Sequence, residues 1–200
     1  NTSSPLIGSY TSSAPEGSFL SSGTCLTFKF TSDGFYNYSG WEATISCVTQ
    51  PVCGSNPVAN DFCGSATYIN NLDGYCGNTS GTYTQDQPGN LYDEFCGTIE
   101  NNSWVTFTAD STAATFNVWT DNCSIGTGIQ IEIYETADCN TFTSVSNCWN
   151  PFSEVNGAVT ATGLTIGQDY YMMIDGNGGD ICDFIIGASN GVVVLPITLT

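Results

Sequence analysis

Leu164-Thr165-Ile166-Gly167-Gln168 leads into Tyr170-Tyr171-Met172-Met173-Ile174, and the pair Asp175-Gly176 follows directly. The first five residues are typical of a turn, the next five of a buried strand, and Asp-Gly is a pair that closes β-hairpins. Similar short runs occur at 104–108, 115–119, 129–134, 141–145 and 184–188. Turn residues separate them about every 8–12 residues, and no window has helical periodicity. The pattern predicts an all-β fold of the sandwich type.

The first fifty residues predict a separate, smaller β unit. Leu26, Phe28 and Phe30 alternate with polar residues, and a second alternating run follows at 42–48. Residues 51–57 contain two prolines and little apolar content, which is typical of a linker. We therefore predict two sandwich units, at 1–50 and 58–192, with the linker at 51–57 between them and a short tail at 193–200.

The charge balance excludes several classes of function. Lys29 is the only basic side chain against nineteen acidic ones, there is no histidine, and the net charge is −18. Phosphate binding needs a cationic surface, so nucleic acid is excluded as a partner. A serine nucleophile would lack a base. The carboxylates form no recognisable hydrolase pair, and the alternation predicts that Glu132 faces solvent. We expect no catalysis.

Ten cysteines indicate disulfides and an oxidising compartment. Zinc is the competing interpretation, but the sequence has no CxxC pair and no histidine. The sequence contains no run of about 18 apolar residues, so no membrane span is predicted. It begins without Met and without a signal peptide, which indicates a mature product or an excised piece. We expect a secreted or cell-surface protein. The pairings that strand positions favour are Cys25–Cys47 and Cys139–Cys148, followed by Cys76–Cys96 and Cys123–Cys182, with Cys53–Cys63 left by elimination.

Residues 5–48 resemble the second half of a CUB domain. The resemblance rests on Pro5-Leu6-Ile7-Gly8-Ser9-Tyr10, Ser22-Gly23, Leu26-Thr27-Phe28-Lys29-Phe30-Thr31-Ser32-Asp33 and Gly40-Trp41-Glu42-Ala43. It implies a partial sandwich whose open strand edges need another segment or another copy of the chain to complete them. Completion by another segment and self-association with another copy are alternatives that the sequence leaves open.

Residues 58–190 resemble the pre-peptidase C-terminal domains of secreted bacterial proteins. The matching runs are Asn60-Asp61-Phe62-Cys63-Gly64-Ser65-Ala66, Ser103-Trp104-Val105-Thr106-Phe107-Thr108-Ala109, Gly128-Ile129-Gln130-Ile131-Glu132-Ile133-Tyr134 and 163–176. The resemblance implies a jelly-roll-like accessory domain without catalysis. The tail Val194-Leu195-Pro196-Ile197-Thr198-Leu199-Thr200 is similar to the entry of a type IX secretion sorting domain, which implies the type IX machinery as a partner.

Three groups of residues are candidates for a site. Asp175, Asn177 and Asp180 offer hard oxygen ligands on a glycine-rich turn, so they predict either a calcium site or an ordinary turn, and no other cofactor is expected. Trp149, with Tyr75, Tyr83 and Tyr92 behind it, is a candidate platform for a sugar ring, although Trp149 fits a packed loop anchor equally well. Ser111, in Asp110-Ser111-Thr112, resembles the O-glycosylation site of bacteria that use type IX secretion.

These features favour a non-catalytic extracellular module of a large bacterial surface adhesin or filament, exported by type IX secretion. The alternative is a carbohydrate-binding accessory module of a secreted hydrolase. The expected partners are glycans or proteins outside the cell. A third hypothesis is that the piece mainly serves export.

Overall fold

The computed structural model describes residues 27–29, 31, 53, 58–69 and 72–190. Nearly all of the predicted CUB-like unit and linker, and the whole tail, lie outside the described residues, so the domain boundaries stay predictions. In the described part the strands are β1 Thr67–Tyr68, β2 Tyr75–Asn78, β3 Ser103–Thr108, β4 Ala113–Asp121, β5 Ile129–Glu135, β6 Thr143–Ser144, β7 Gly157–Thr162, β8 Asp169–Gly176 and β9 Asp183–Asn190. A 3₁₀ turn at Cys63–Ser65 and a one-turn helix, α1, at Leu91–Glu94 complete the elements.

The strands form two sheets, which confirms the predicted disulfide-rich all-β class. One sheet has the order β1-β3-β8-β5-β6 and the other the order β2-β9-β4-β7. The pairs are antiparallel except β1 with β3. The chain changes sheet after β8, so the predicted hairpin at Asp175-Gly176 is wrong. Residues 177–182 instead carry the chain from one sheet to the other.

The core between the sheets follows the alternation of the strands. Val105 and Phe107 of β3 and Ile131 and Ile133 of β5 point inward and are fully buried. Phe107 meets Phe116 of the opposite sheet with ring centroids 5.1 Å apart, edge to face. This pair contributes to holding the two sheets face to face, since aromatic contacts of this geometry stabilise cores beyond their buried area.

The outer face of the first sheet is also covered. Trp104 and Tyr134 point to that face, and they are buried against Phe142 and the segment that contains Leu91 and Phe95. Outward-facing residues of β5 and β8 therefore lie in a second apolar layer. This layer explains why Glu132 is only 4% exposed, and the prediction that it faces solvent is wrong.

Eight of the ten cysteines form disulfides in the described residues, and Cys25 and Cys47 lie outside them. The pairs are Cys53–Cys76, Cys63–Cys139, Cys96–Cys148 and Cys123–Cys182. The last pair is the predicted one and joins the end of β4 to the start of β9. The predicted pairs Cys139–Cys148, Cys76–Cys96 and Cys53–Cys63 are wrong. The wrong pairs each joined two cysteines that are adjacent in the order of cysteines along the chain. In the structure, Cys63 and Cys96 belong to the segments that cover the outer face of the first sheet, and they reach Cys139 and Cys148 on either side of β6.

Candidate functional site

A cleft of about 520 Å³ lies beside β2, at the edge of the second sheet. Its walls include the rings of Tyr75, Tyr83 and Phe184 and the polar side chains of Asn78 and Ser80. The floor forms because Gly77 stands opposite Phe184 in the β2–β9 pair, where a Cβ would fall 2.3 Å from the phenyl ring. Glycine thus lets the ring lie flat over the strand.

The described lining of the cleft is uncharged, although two carboxylates lie next to it: Asp183 accepts a hydrogen bond from the Asn78 amide at 2.6 Å, and Asp61 lies near Tyr83. None of the described residues that line it carries a formal charge. Burial raises the pKa of Tyr75 to about 12, with a smaller contribution from Tyr83. Burial, and then the charge of Asp61, raise the pKa of Tyr83 as well, and its hydroxyl donates to the Ala59 carbonyl at 3.3 Å. Both phenols therefore stay protonated at neutral pH.

Of the four predicted platform residues, Tyr83 lines the cleft and Tyr92 is exposed on α1, whereas Tyr75 and Trp149 occupy different places from those expected. Tyr75 is 1% exposed, so its ring forms part of the cleft wall and the core rather than an open surface. Trp149 is half-buried and packs against the core. Its backbone exchanges two hydrogen bonds of 2.9 Å with Ile131, and its ring occupies the space beside Gly157. This arrangement favours the loop-anchor interpretation of Trp149.

Asp180 is the organising residue of the loops at one end of the sandwich. Its carboxylate accepts hydrogen bonds from the backbone N–H groups of Ile125, Gly126, Thr127 and Gly128, at 2.7–3.0 Å, and from the hydroxyls of Ser124 and Thr127. Desolvation acts to raise the pKa of Asp180, but these donors outweigh it and lower the pKa to about 2. The dipoles of these N–H groups therefore stabilise the negative charge of the Asp180 carboxylate.

Asp175 is buried with a different set of donors. The N–H groups of Glu100 and Asn101 donate to one carboxylate oxygen, at 3.1 and 2.9 Å, and the Gln130 amide donates to the other at 2.9 Å. Desolvation nevertheless dominates and raises the pKa of Asp175 to about 7, with the nearby charge of Glu100 acting in the same direction.

The third member of the predicted calcium set is Asn177. Its side-chain amide donates to Asn150 at 2.6 Å. All three predicted ligands thus have protein partners, which favours a structural role for the 175–180 turn, while calcium binding stays a prediction.

Glu132 lies beside a disulfide in the covered outer face. Its carboxylate accepts hydrogen bonds from the Tyr134 and Ser144 hydroxyls, at 3.1 and 2.5 Å. Its oxygen and the sulfurs of Cys96 and Cys148 all lie within 4.8 Å of one another. Burial raises the pKa of Glu132, although the hydroxyl donors and the Cys96 N–H lower it. This site was missed because the alternation says which face Glu132 is on but not what covers that face. Tyr134, two residues on, was the available signal of a cover.

Ser111 lies in the turn between β3 and β4, half-buried, with exposed residues on both sides. The turn is therefore reachable from solvent, and its glycosylation stays a prediction. No helix in the described ranges is long and apolar enough to span a membrane.

Comparison with models of protein families, with curated proteins and with solved structures finds no match to this chain.

Proposed function

We propose that the chain is a non-catalytic extracellular module of a large secreted bacterial surface protein, an adhesin or a filament. The observation that carries the proposal is the set of four disulfides, which cross-link the described sandwich at sequence separations of 23 to 76 residues. Bridges of this density persist in oxidising compartments and stabilise a domain against unfolding outside the cell. The resemblance of residues 194–200 to a sorting-domain entry supports export by type IX secretion.

Labelling of intact cells tests this proposal. An epitope is inserted after Gly163, in the exposed turn that precedes β8, and antibody is added to cells without permeabilisation. We expect surface labelling, and alkylation without reductant should find the eight paired cysteines unmodified. Internal protein with free thiols would refute the proposal. Removing every residue after 191 from the parent protein should retain it in the cell if the type IX assignment is right.

A second candidate function, carbohydrate binding, is favoured by the neutral cleft beside β2. Sugar rings bind by stacking their C–H groups on aromatic rings and by hydrogen bonds from hydroxyls to amides, and the cleft offers both kinds of group. Its lack of charge suits an uncharged ligand in a protein whose other surfaces repel anions.

A glycan array compares the parent chain with two tyrosine variants. Tyr83→Ala removes a ring of the cleft wall, whereas Tyr92→Ala removes a ring that is 68% exposed on α1, outside the cleft. We expect neutral glycans to be retained by the parent chain and by Tyr92→Ala, and lost by Tyr83→Ala. Equal binding by all three proteins would exclude the cleft, and no binding by the parent chain would leave the structural module as the better account.

A further inference from the structure

Two of the four disulfides have a carboxylate beside them, and the two environments differ. In one cluster Glu132 adjoins Cys96–Cys148, and in the other Asp180 adjoins Cys123–Cys182, with all ligand-type atoms within 4.8 Å. Cys96 is exposed to solvent, whereas Cys182 is fully buried. Cys123, the other half of the second bridge, is half-buried, so the first bridge is the more accessible of the two to an external thiol.

The two carboxylates also differ in their capacity to exchange a proton. Asp180 accepts six hydrogen bonds, which hold it ionised. Glu132 is buried among fewer donors, and desolvation raises its pKa above its ordinary value. The titratable groups that face it are Tyr134 and Glu94, and the charge of Glu94 acts in the same direction as burial. Glu132 can thus bind and release a proton beside the sulfurs.

We propose that Cys96–Cys148 is a thiol–disulfide exchange site for an external dithiol, with Glu132 as its proton donor and acceptor. A thiolate of the dithiol attacks the exposed Cys96 sulfur, the bond to Cys148 breaks, and the Cys148 sulfur leaves with the electron pair. Glu132 donates its proton to that sulfur. The second thiol of the dithiol then loses its proton to solvent and attacks the dithiol sulfur that is bonded to Cys96. The bond to Cys96 breaks, Cys96 leaves with the electron pair and takes a proton from solvent, and the dithiol, now a disulfide, has supplied both electrons. In the reverse direction Glu132 takes the proton back from Cys148.

The molecule contains its own controls for this proposal. Cys53–Cys76 has an exposed cysteine, but in the described part of the chain no carboxylate lies in such a cluster with it. Cys123–Cys182 has the carboxylate, but one of its cysteines is fully buried and the other is half-buried. Limiting dithiothreitol is added to the folded chain, the reaction is quenched by alkylation, and peptide mass spectrometry follows the first opening of each bridge. We expect Cys96–Cys148 to open roughly 10-fold faster than Cys53–Cys76, or more, and Cys123–Cys182 to open last.

The opening rate of Cys96–Cys148 divided by that of Cys53–Cys76 is measured from pH 5 to 8. The ionisation of dithiothreitol affects both rates equally and cancels from this ratio, so the pH dependence that remains reports on Glu132. The ratio should rise as the pH falls and Glu132 gains its proton. Glu132→Gln should lower the ratio roughly 10-fold at the acidic end and remove its pH dependence. Glu132→Asp, which keeps an ionisable carboxyl, should restore the dependence. Near-ultraviolet circular dichroism confirms that each variant is folded.

Two results would overturn the proposal, and the first needs no variant. If Cys53–Cys76 opens as fast as Cys96–Cys148 in the parent chain, then exposure alone governs the reaction. If Glu132→Gln keeps the parent pH profile, then the carboxylate is only a structural acceptor for Tyr134 and Ser144. If the protein proved not to be at the cell surface, the ratio of opening rates measured on the isolated chain would be the same. This test is therefore independent of the proposed function.

Discussion

Replacing Asp175 by asparagine removes a carboxylate that the fold buries completely. Asparagine has nearly the same shape, and its carbonyl oxygen can accept the same two backbone N–H groups, from Glu100 and Asn101. The partner on the other side is the Gln130 amide, whose own oxygen has no hydrogen-bond partner among the described residues. The Gln130 amide nitrogen also donates to the Thr98 carbonyl at 2.9 Å, so the NH2 group of the asparagine would face a donor. The substitution therefore removes a titratable charge together with one hydrogen bond, and of these two effects the charge is the one that depends on pH.

The sign of the effect follows from the pKa of Asp175, which burial raises from 3.8 to about 7. Between these values the folded chain binds a proton that the unfolded chain has released. The contribution of Asp175 to stability is therefore full below pH 3.8 and is lost as the pH rises through 7. The difference between the two pKa values corresponds to a loss of roughly 4 kcal/mol in the free energy of unfolding, at about 1.4 kcal/mol for each pH unit.

Urea unfolding at pH 4 to 8, followed by the fluorescence of the four tryptophans, measures this quantity. The disulfides stay oxidised throughout, and equal m-values confirm that the two proteins are compared in the same transition. The difference in unfolding free energy, parent chain minus Asp175→Asn, should fall by roughly 4 kcal/mol across that range. Other carboxylates titrate in both proteins and cancel from the difference.

Asp110→Asn is the matched control, because it removes the same formal charge from an exposed turn. Its difference from the parent chain should stay nearly constant with pH. A flat difference for Asp175→Asn as well would refute the reasoning, since it would mean that hydrogen bonds compensate the buried charge fully. A difference that grows with pH would mean that the ionised form is the one that the fold prefers.

Four further outcomes are expected. Gly77→Ala should lower the unfolding free energy by about 1–3 kcal/mol because the added methyl group meets the Phe184 ring. Gly64→Ala is the control, since a Cβ there has nothing within 4 Å, and it should change the unfolding free energy by less than about 0.5 kcal/mol. Equal costs for the two variants would contradict the packing explanation. Phe107→Ala should cost about 3–5 kcal/mol, measured by urea unfolding, because it opens a cavity between the sheets. Replacing Cys123 and Cys182 by serine should cost about 4 kcal/mol, since that bridge closes a loop with a sequence separation of 59. Millimolar Ca²⁺ should leave the melting temperature unchanged, because donors already surround Asp180; a rise of several degrees reversed by a chelator would restore the calcium interpretation.

The strands that could be predicted are those with strong alternation or bulky apolar residues. The predicted runs at 104–108 and 129–134 match β3 and β5 closely, because their bulky apolar and β-branched side chains pack against both faces of the sheet. The strand β7, Gly157–Thr162, was missed because Gly and Ala carry little of that signal. Its place in the sheet comes from pairing with β4, which no local pattern records.

The site was harder to predict than the fold because it depends on which segments cover which faces. The outward direction of Glu132 follows from its neighbours Ile131 and Ile133, and the structure agrees with that direction. The burial of Glu132 comes from the segment around Leu91 and from a disulfide between residues 52 positions apart. Contacts of that length leave no periodic trace in the sequence. The same reason accounts for the wrong disulfide pairs.

A chain with nineteen carboxylates and one lysine cannot stabilise its buried acids by ion pairs. The described residues use N–H and hydroxyl groups instead, and the count of donors decides the outcome. Six donors keep Asp180 ionised and make it a cross-link between loops. Three donors do not compensate the burial of Asp175, whose pKa rises to about 7, and among the described residues burial also raises the pKa of Glu132 despite its donors. The same scarcity of cations that excludes nucleic acid as a partner thus determines where this protein can exchange protons.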